Sequence, residues 1–288
     1  MQRLIVSLIS LAMTFGGFAA RAAGDTKAEQ LLAQAREALG GEKALARVQG
    51  LTATGAYQRE MGDRQVNGEI TIDLQLPDKM LRTESMRPMG DATIEMLQGV
   101  NGEQVLRHSR TIGGGPGMVV RMAPPGGADG EAQALRNQRA DMARFALVFL
   151  LTSPSATPLE YAYGGEAEAE DGKADVVDAK GPGSFAARLF FDKKTHRLLM
   201  LSYRGAAPRM IMQTRRGDGP PPAAGAPPEL PPPQIVDIQL FLDDYKNVDG
   251  VLLPHHLSRS IDGKPSEEMT FKTIRINPAF KPDAFTAK

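Results

Sequence analysis

Two adjacent histidines, His255 and His256, are the first residues of this chain to suggest chemistry, because imidazole side chains bind metals and transfer protons. They stand near the end of LDDYKNVDGVLLPHHL, residues 242–257, where Asp249-Gly250 and Pro254 indicate a strand, a turn and a second strand. Neighbouring side chains of a strand point to opposite faces, so one metal ion can hardly contact both rings. The sequence therefore predicts two strand histidines and no metal site. A metal-dependent hydrolase that uses either histidine with nearby carboxylates stays open as an alternative.

Other patterns of catalysis or cofactor binding are weak. A structural zinc site needs four ligands and a catalytic one three, whereas His108 and His196 each lie beside a predicted hairpin turn. The glycine run at 113–117 lacks the Gly-Lys-Ser/Thr ending of a phosphate loop, and no serine lies in a Gly-x-Ser-x-Gly context. The chain has no cysteine, which excludes disulfides and thiolate ligands. We therefore predict a protein that is not an enzyme, with no catalytic residue, no metal and no cofactor.

The N-terminal residues, MQRLIVSLISLAMTFGGFAARAA, have the pattern of a secretory signal peptide. Arg3 supplies the positive charge, residues 4–18 are apolar, and Ala20-Arg21-Ala22 forms a small-x-small cleavage site. The apolar stretch is shorter than the ~20 residues of a membrane span. We predict a signal peptide over residues 1–22, cleavage near Ala22 and a periplasmic protein.

The charge of the mature chain bears on its partners. The full chain has 34 basic and 34 acidic residues, and cleavage near Ala22 removes two arginines and no acidic residue. The resulting slight excess of negative charge argues against nucleic acid as a partner.

A helix followed by many strands is predicted for the rest of the chain. Leu31, Leu32, Ala35 and Leu39 recur at helical spacing after Asp25-Thr26, and Gly40-Gly41 ends the helix. About a dozen strand patterns follow, among them VNGEITIDLQL, in which every second residue is apolar. Turn signals such as Asn101-Gly102 separate most of them, which predicts one long antiparallel meander of mainly β structure.

Two ranges interrupt the strand patterns. The first is a Gly/Pro-rich loop at 108–130, followed by a helix at 131–151 that Pro154 ends. The second is a flexible proline-rich insertion at 204–233. Within the helix, residues 145–151 are apolar on every side, which implies burial all round. They form either fixed core or a lid over an apolar cavity.

Four stretches resemble the LolA/LolB-type superfamily of periplasmic lipoprotein carriers, the outer-membrane lipoprotein-sorting proteins and their relatives. They are AEQLLAQAREALGGEKALARVQGLTATGAY, MLQGVNGEQVLRHS, ARLFFDKKTHRLLMLSYR and DDYKNVDGVLLPHHLSRSIDGKPSEEMTFKTIRINPAFKPDAF. The resemblance implies an α+β, mainly β fold over residues 23–288. That fold is a single antiparallel half-open β-barrel of about 11–12 strands with helices packed on its concave face.

A carrier of lipid or lipoprotein acyl chains is the function that this resemblance implies. An apolar trough holds acyl chains without catalytic residues, because each buried methylene contributes about 0.8 kcal/mol. We expect the trough to be lined by apolar residues of the strands and the 131–151 helix: Ile70, Ile72, Leu74, Leu76, Met96, Phe145, Val148, Phe149, Phe191 and Leu240. We expect the protein to be a monomer. The alternative function is an envelope sensor or scaffold that binds a protein partner through the 204–233 loop.

Overall fold

The structure, a computed structural model, describes residues 21–62, 64–87, 92–113, 118–121, 127–169, 172–207, 211–214 and 234–286. Within these residues the helices are α1 (Arg21–Ala38), α2 (Glu42–Leu45), α3 (Gly127–Leu150) and a 3-10 turn at Pro182–Ser184. The strands of the same residues are β1 (Gly50–Met61), β2 (Arg64–Gln75), β3 (Lys79–Met86), β4 (Thr93–Asn101), β5 (Gln104–Ile112), β6 (Met118–Arg121), β7 (Glu160–Ala169), β8 (Gly172–Lys180), β9 (Ala186–Asp192), β10 (Leu198–Ala206), β11 (Ile211–Thr214), β12 (Ile235–Val248), β13 (Val251–Ile261) and β14 (Lys264–Ile276). Residues 1–20 of the predicted signal peptide lie outside the described residues.

Twelve of these strands form one antiparallel sheet that does not close on itself, in the order β5-β4-β3-β2-β1-β14-β13-β12-β10-β9-β8-β7. The predicted strand number and the mainly β class are confirmed. The prediction of one continuous meander is wrong, because β1 pairs with β14 in the middle of the sheet. Two meanders are thus joined by a pairing between chain segments more than 200 residues apart, with Leu51 opposite Ile276.

Strand alternation gives the sheet one strongly apolar face, here called the inner face. On β1 and β2 it carries Leu51, Ala53, Ile72 and Leu74, all fully buried. On β13 it carries Leu253 and Leu257, which are also fully buried. Because side chains of successive residues alternate between faces, these strands each present one apolar and one more polar side.

Helix α3 crosses from one end of the sheet to the other. The edge strands β5 and β7 lie at opposite ends of the strand order, and the chain between them contains α3. The connection must therefore pass over a face of the sheet, and the apolar turns of α3 direct it onto the inner face.

The two predicted interruptions contain regular structure and pair with each other. Residues 108–112 belong to β5, because the β4–β5 pairing continues as far as Thr93 opposite Ile112. Likewise 204–206 belong to β10 and pair with β12. Strand β6, inside the first range, pairs with β11, inside the second. Residues 114–117, 122–126, 208–210 and 215–233 lie outside the described residues.

Helix α1 begins four residues earlier than predicted and packs with the core as its spacing indicates. Leu31, Leu32, Ala35 and Leu39 are all buried in one hydrophobic cluster with the inner face. On the opposite face of the sheet, Phe280 and Phe285 pack edge to face at 5.0 Å beside Leu81. No helix in the described ranges offers an apolar stretch long enough to cross a bilayer.

Candidate binding site on the inner face

All ten residues predicted to line a trough lie in one hydrophobic cluster. Seven of them are buried members of that cluster: Ile70, Ile72, Leu74, Val148, Phe149, Phe191 and Leu240. The other three, Leu76, Met96 and Phe145, are half-buried and pack against it. The structure therefore brings the predicted set together from α3 and four strands or their ends. Whether these residues bind a ligand stays a prediction.

The last turns of α3 seal this cluster. The Phe149 ring meets the Phe271 ring of β14 edge to face at 5.8 Å, and the Phe145 ring stacks on Phe149 at 6.2 Å. Ala143, Ala146 and Leu147 have no exposed area. The helix thus fills the space that a ligand on the inner face would occupy.

Two polar contacts fasten α3 at its C-terminal end and near its middle. The Arg36 Nε of α1 donates a hydrogen bond to the Leu151 carbonyl oxygen at 3.0 Å. The Arg139 guanidinium donates to the Gly102 carbonyl oxygen at 3.3 Å and pairs with Glu103 in the β4–β5 turn. Between these points, the Arg144 guanidinium lies 3.8 Å from the centre of the Tyr203 ring.

A network of five charged side chains on the inner face was not predicted. Arg59, Arg82, Arg259, Glu84 and Glu267 come from β1, β3, β13 and β14. The Arg82 Nε lies 2.6 Å from Glu84 Oε1, and its Nη2 lies 3.0 Å from Glu267 Oε1. The Arg59 Nη2 lies 2.8 Å from Glu84 Oε1 and also contacts Glu267, while Arg259 Nη2 lies 2.9 Å from Glu267 Oε2.

The centre of the network is shielded from solvent, and the arginines keep both glutamates ionised. The Glu267 side chain has no exposed area, and those of Glu84 and Arg82 are 6% and 9% exposed. Burial alone raises the pKa of Glu267, but Arg82, Arg259 and Arg59 outweigh it and lower that pKa to about 2. The pKa of Glu84 is also lowered, because Arg82 and Arg59 offset its burial. Both carboxylates are therefore ionised at neutral pH.

Tyr57 lies between this network and the apolar cluster. Its ring packs in the hydrophobic cluster, and the Arg59 guanidinium lies 4.7 Å from the ring centre. The ring fits because position 68 is glycine: a Cβ there would lie 2.6 Å from a Tyr57 ring carbon. Burial and the neighbouring Glu84 raise the pKa of the Tyr57 hydroxyl, so it keeps its proton.

A signal for the network exists in the sequence of β3. In MLRTESM, the inward positions of the strand are Met80, Arg82, Glu84 and Met86, a charged pair between two methionines. The burial of that pair depends on β1 and β14, which local alternation does not reveal. The network was missed because its partners are distributed over the whole chain.

The two histidines occupy opposite faces, as predicted. His255 is 5% exposed, and its Nδ1 lies 3.1 Å from the Leu253 carbonyl oxygen. His256 points to the other face, where its Nδ1 lies 3.0 Å from Asp243 Oδ1. His196 lies beside the turn at 193–195, as predicted, but His108 lies within β5 opposite Leu97 rather than beside a turn. Among the described residues, no three His, Asp or Glu side chains are placed to hold one metal ion.

Two depressions in the described surface lie away from the predicted lining residues. One, of about 340 Å³, is bordered by Glu60, Val236, Asp262 and Lys264, and the other, of about 240 Å³, by Arg47, Asp249 and Asn277. Neither is bordered by any of the ten residues, whose cluster is filled by α1 and α3.

Comparison with known proteins finds similarity in structure but not in sequence. No family model and no curated protein matches the sequence. Solved structures that resemble this one include a LolA superfamily protein from Nitrosomonas europaea, with 9% identity, 90% of this chain and 97% of that chain covered, and a TM-score of 0.45. A putative outer membrane lipoprotein-sorting protein domain from Vibrio parahaemolyticus has 12% identity, the same coverage of both chains and a TM-score of 0.45. A DUF1329 family protein from Desulfovibrio piger has 9% identity, coverage of 90% and 96%, and a TM-score of 0.46.

These likenesses concern the fold. Two of the three structures carry names from the superfamily that the sequence stretches resemble. At such low identity and TM-score, the functional argument rests on the residues of the inner face.

Proposed function

We propose that this chain is a periplasmic, non-enzymatic binding protein that holds a lipid or lipoprotein acyl chain between α3 and the inner face of a half-open barrel. The observation that supports this most is that α3 packs on a continuous apolar surface of the sheet and could leave it without breaking the pairing of the strands. The helix joins the two edge strands and is a separate cover over the inner face.

When a ligand displaces α3, the apolar contacts between the helix and the sheet are replaced by contacts between the ligand and the sheet. Phe145 and Phe149 leave Phe271 and the strand residues, and an acyl chain takes their place. At about 0.8 kcal/mol per buried methylene, a long chain offsets the loss of two phenylalanine contacts and of the polar fastenings at Arg36 and Arg139.

The test is native mass spectrometry of the protein purified without detergent, followed by binding measurements on the extracted protein. We expect a bound species of lipid mass and, after extraction, binding of the neutral fluorophore N-phenyl-1-naphthylamine at one site. A matched pair of variants locates that site: Ile72→Ala, at a buried inner-face position, alters binding, and Ile235→Ala, which is 54% exposed, does not. A protein that is purified empty and binds neither the fluorophore nor long-chain alkyl compounds would contradict the proposal.

A further inference from the structure

The charge network on the inner face has three positive side chains and two negative ones, so it has an excess of one positive charge. Three arginines face two ionised glutamates. The nearest charges on α3 cancel, since Arg144 Nη1 pairs with Asp141 Oδ1 at 2.7 Å. On the strand side, the half-buried Arg107 of β5 stands opposite Gln98, which faces Arg82 on β3. Arg107 therefore adds a positive charge on the same face, two strands from Arg82.

The middle of helix α3 lies near this region, since the Arg144 guanidinium is 3.8 Å from the centre of the Tyr203 ring. Burial raises the pKa of the Tyr203 hydroxyl. The charges that also act on this hydroxyl come from two places: Asp141 and Arg144 on α3, and Arg259 and Arg82 in the network. The network and the middle of the helix therefore converge on one tyrosine. A ligand beneath α3 meets the network at that point.

Four buried polar atoms in this region have no hydrogen-bond partner among the described residues: the donors Tyr57 Oη, Arg144 Nε and Arg259 Nε and the acceptor Glu267 Oε2. Two of the donors, the Tyr57 hydroxyl, on a residue that is 2% exposed, and the Nε of Arg259, belong to strands of the inner face. A buried donor without an acceptor costs about 1–3 kcal/mol, and native proteins rarely leave one unsatisfied. Tyr57 lies on β1 opposite Met269, and Arg259 lies on β13 opposite Glu267, so the two side chains share the inner face across one intervening strand.

The same surface changes from apolar to charged along β13. Leu253 and Leu257 are fully buried, the buried His255 lies between them on the same face, and Arg259 follows at the next inward position. From Leu253 to Arg259 the strand extends over roughly 20 Å. This is an arrangement for an amphiphile, whose chain lies along the leucines and whose head reaches the arginine.

We propose that the ligand of the inner face is a long-chain carboxylate, whose head group accepts hydrogen bonds from Tyr57 Oη and Arg259 Nε and balances the excess positive charge. This rests on the proposed function and adds the chemical class of the ligand. An anion is attracted by the excess of positive charge, and a carboxylate has two oxygens for two donors.

Displacement of N-phenyl-1-naphthylamine from the extracted full chain tests the assignment with three probes: palmitate, hexadecanol and hexadecyl phosphate. We expect palmitate to displace the fluorophore at a concentration about tenfold lower than hexadecanol does, as a hydrogen-bonded charge predicts. In Tyr57→Phe this advantage shrinks severalfold, and hexadecanol binds as before. That variant keeps the ring beside Gly68 and removes only the hydroxyl, so its melting temperature verifies that it folds.

Arg259→Lys is the second variant, because it keeps the charge and removes the Nε donor. We expect weaker palmitate binding and unchanged hexadecanol binding. Equal binding of palmitate and hexadecanol by the wild type, or equal loss of both in Tyr57→Phe, overturns the carboxylate site and leaves the proposed function standing. Tighter binding of hexadecyl phosphate than of palmitate overturns the carboxylate in favour of a phosphate. A chain that binds none of the three probes and no fluorophore overturns the proposed function itself.

Discussion

Arg82 and Glu267 lie 185 residues apart in the chain, and Arg82 Nη2 donates to Glu267 Oε1 at 3.0 Å on the inner face. The contact joins β3, in the first meander, to β14, the last strand of the second. Arg59 contacts the same carboxylate from β1, which lies between them in the sheet. The two halves of the sheet are thus connected by buried charges as well as by the β1–β14 pairing.

Glu267→Gln is expected to destabilise the protein strongly. It leaves the buried Arg82 and the partly buried Arg59 and Arg259 with one carboxylate, and the loss of one partner from a buried ion pair costs about 3–5 kcal/mol. Urea unfolding followed by circular dichroism measures the change. Glu268→Gln is the matched control, because the neighbouring glutamate is exposed on the other face and we expect less than about 0.5 kcal/mol there. Similar values for the two variants would contradict a stabilising role for the network.

The network also predicts how stability depends on pH. The folded-state pKa of Glu267 is about 2, below its ordinary 4.5, so as the pH falls the unfolded chain takes up this proton first. The stabilisation is therefore complete above about pH 4.5 and is lost between about 4.5 and 2. Glu84 shifts in the same direction. Thermal unfolding of the wild type and of Glu267→Gln across that range tests this, and we expect the difference between them to shrink as the pH falls. A constant difference would show that Glu267 titrates normally.

The sequence predicted what depends on neighbouring residues and missed what depends on distant ones. Ile70, Ile72 and Leu74 alternate within one strand, so their shared face was readable. The apolar turn that contains Phe149 indicated burial, and the structure places it on Phe271. The β1–β14 pairing and the salt bridges of Glu267 could not be predicted in this way, because no local periodicity specifies which strands become neighbours.

Truncating Phe149 is expected to lower the stability of the protein and to increase its affinity for the fluorophore. Phe149→Ala removes a fully buried ring from the α3–sheet contact and destabilises the protein by about 3–5 kcal/mol. The same change leaves space on the inner face and weakens the helix cover, so we expect tighter binding of N-phenyl-1-naphthylamine. Phe280→Ala, in the cluster on the opposite face, is expected to lower stability without changing binding. Unchanged binding in Phe149→Ala would place the fluorophore outside the inner face.

Removing the hydrogen bond between Arg36 and the end of α3 is expected to loosen the helix cover. Arg36→Met keeps the apolar stem and loses the donor to the Leu151 carbonyl oxygen, which costs about 1 kcal/mol. Leu151 has a φ of 48° and follows the last residue of the helix, so this bond supports a backbone turn that leucine adopts unfavourably. We expect faster amide hydrogen exchange in peptides that cover 147–151, measured by mass spectrometry.

Arg47→Met is the matched control for that exchange experiment, since the Arg47 Nε donates a similar bond of 3.0 Å to the Lys43 carbonyl oxygen, away from α3. We expect it to leave exchange in 147–151 unchanged. If α3 opens to admit a ligand, Arg36→Met also increases the rate at which the fluorophore binds, whereas Arg47→Met does not. Unchanged exchange in Arg36→Met would mean that apolar packing of Phe149 and Leu147 alone holds the end of the helix.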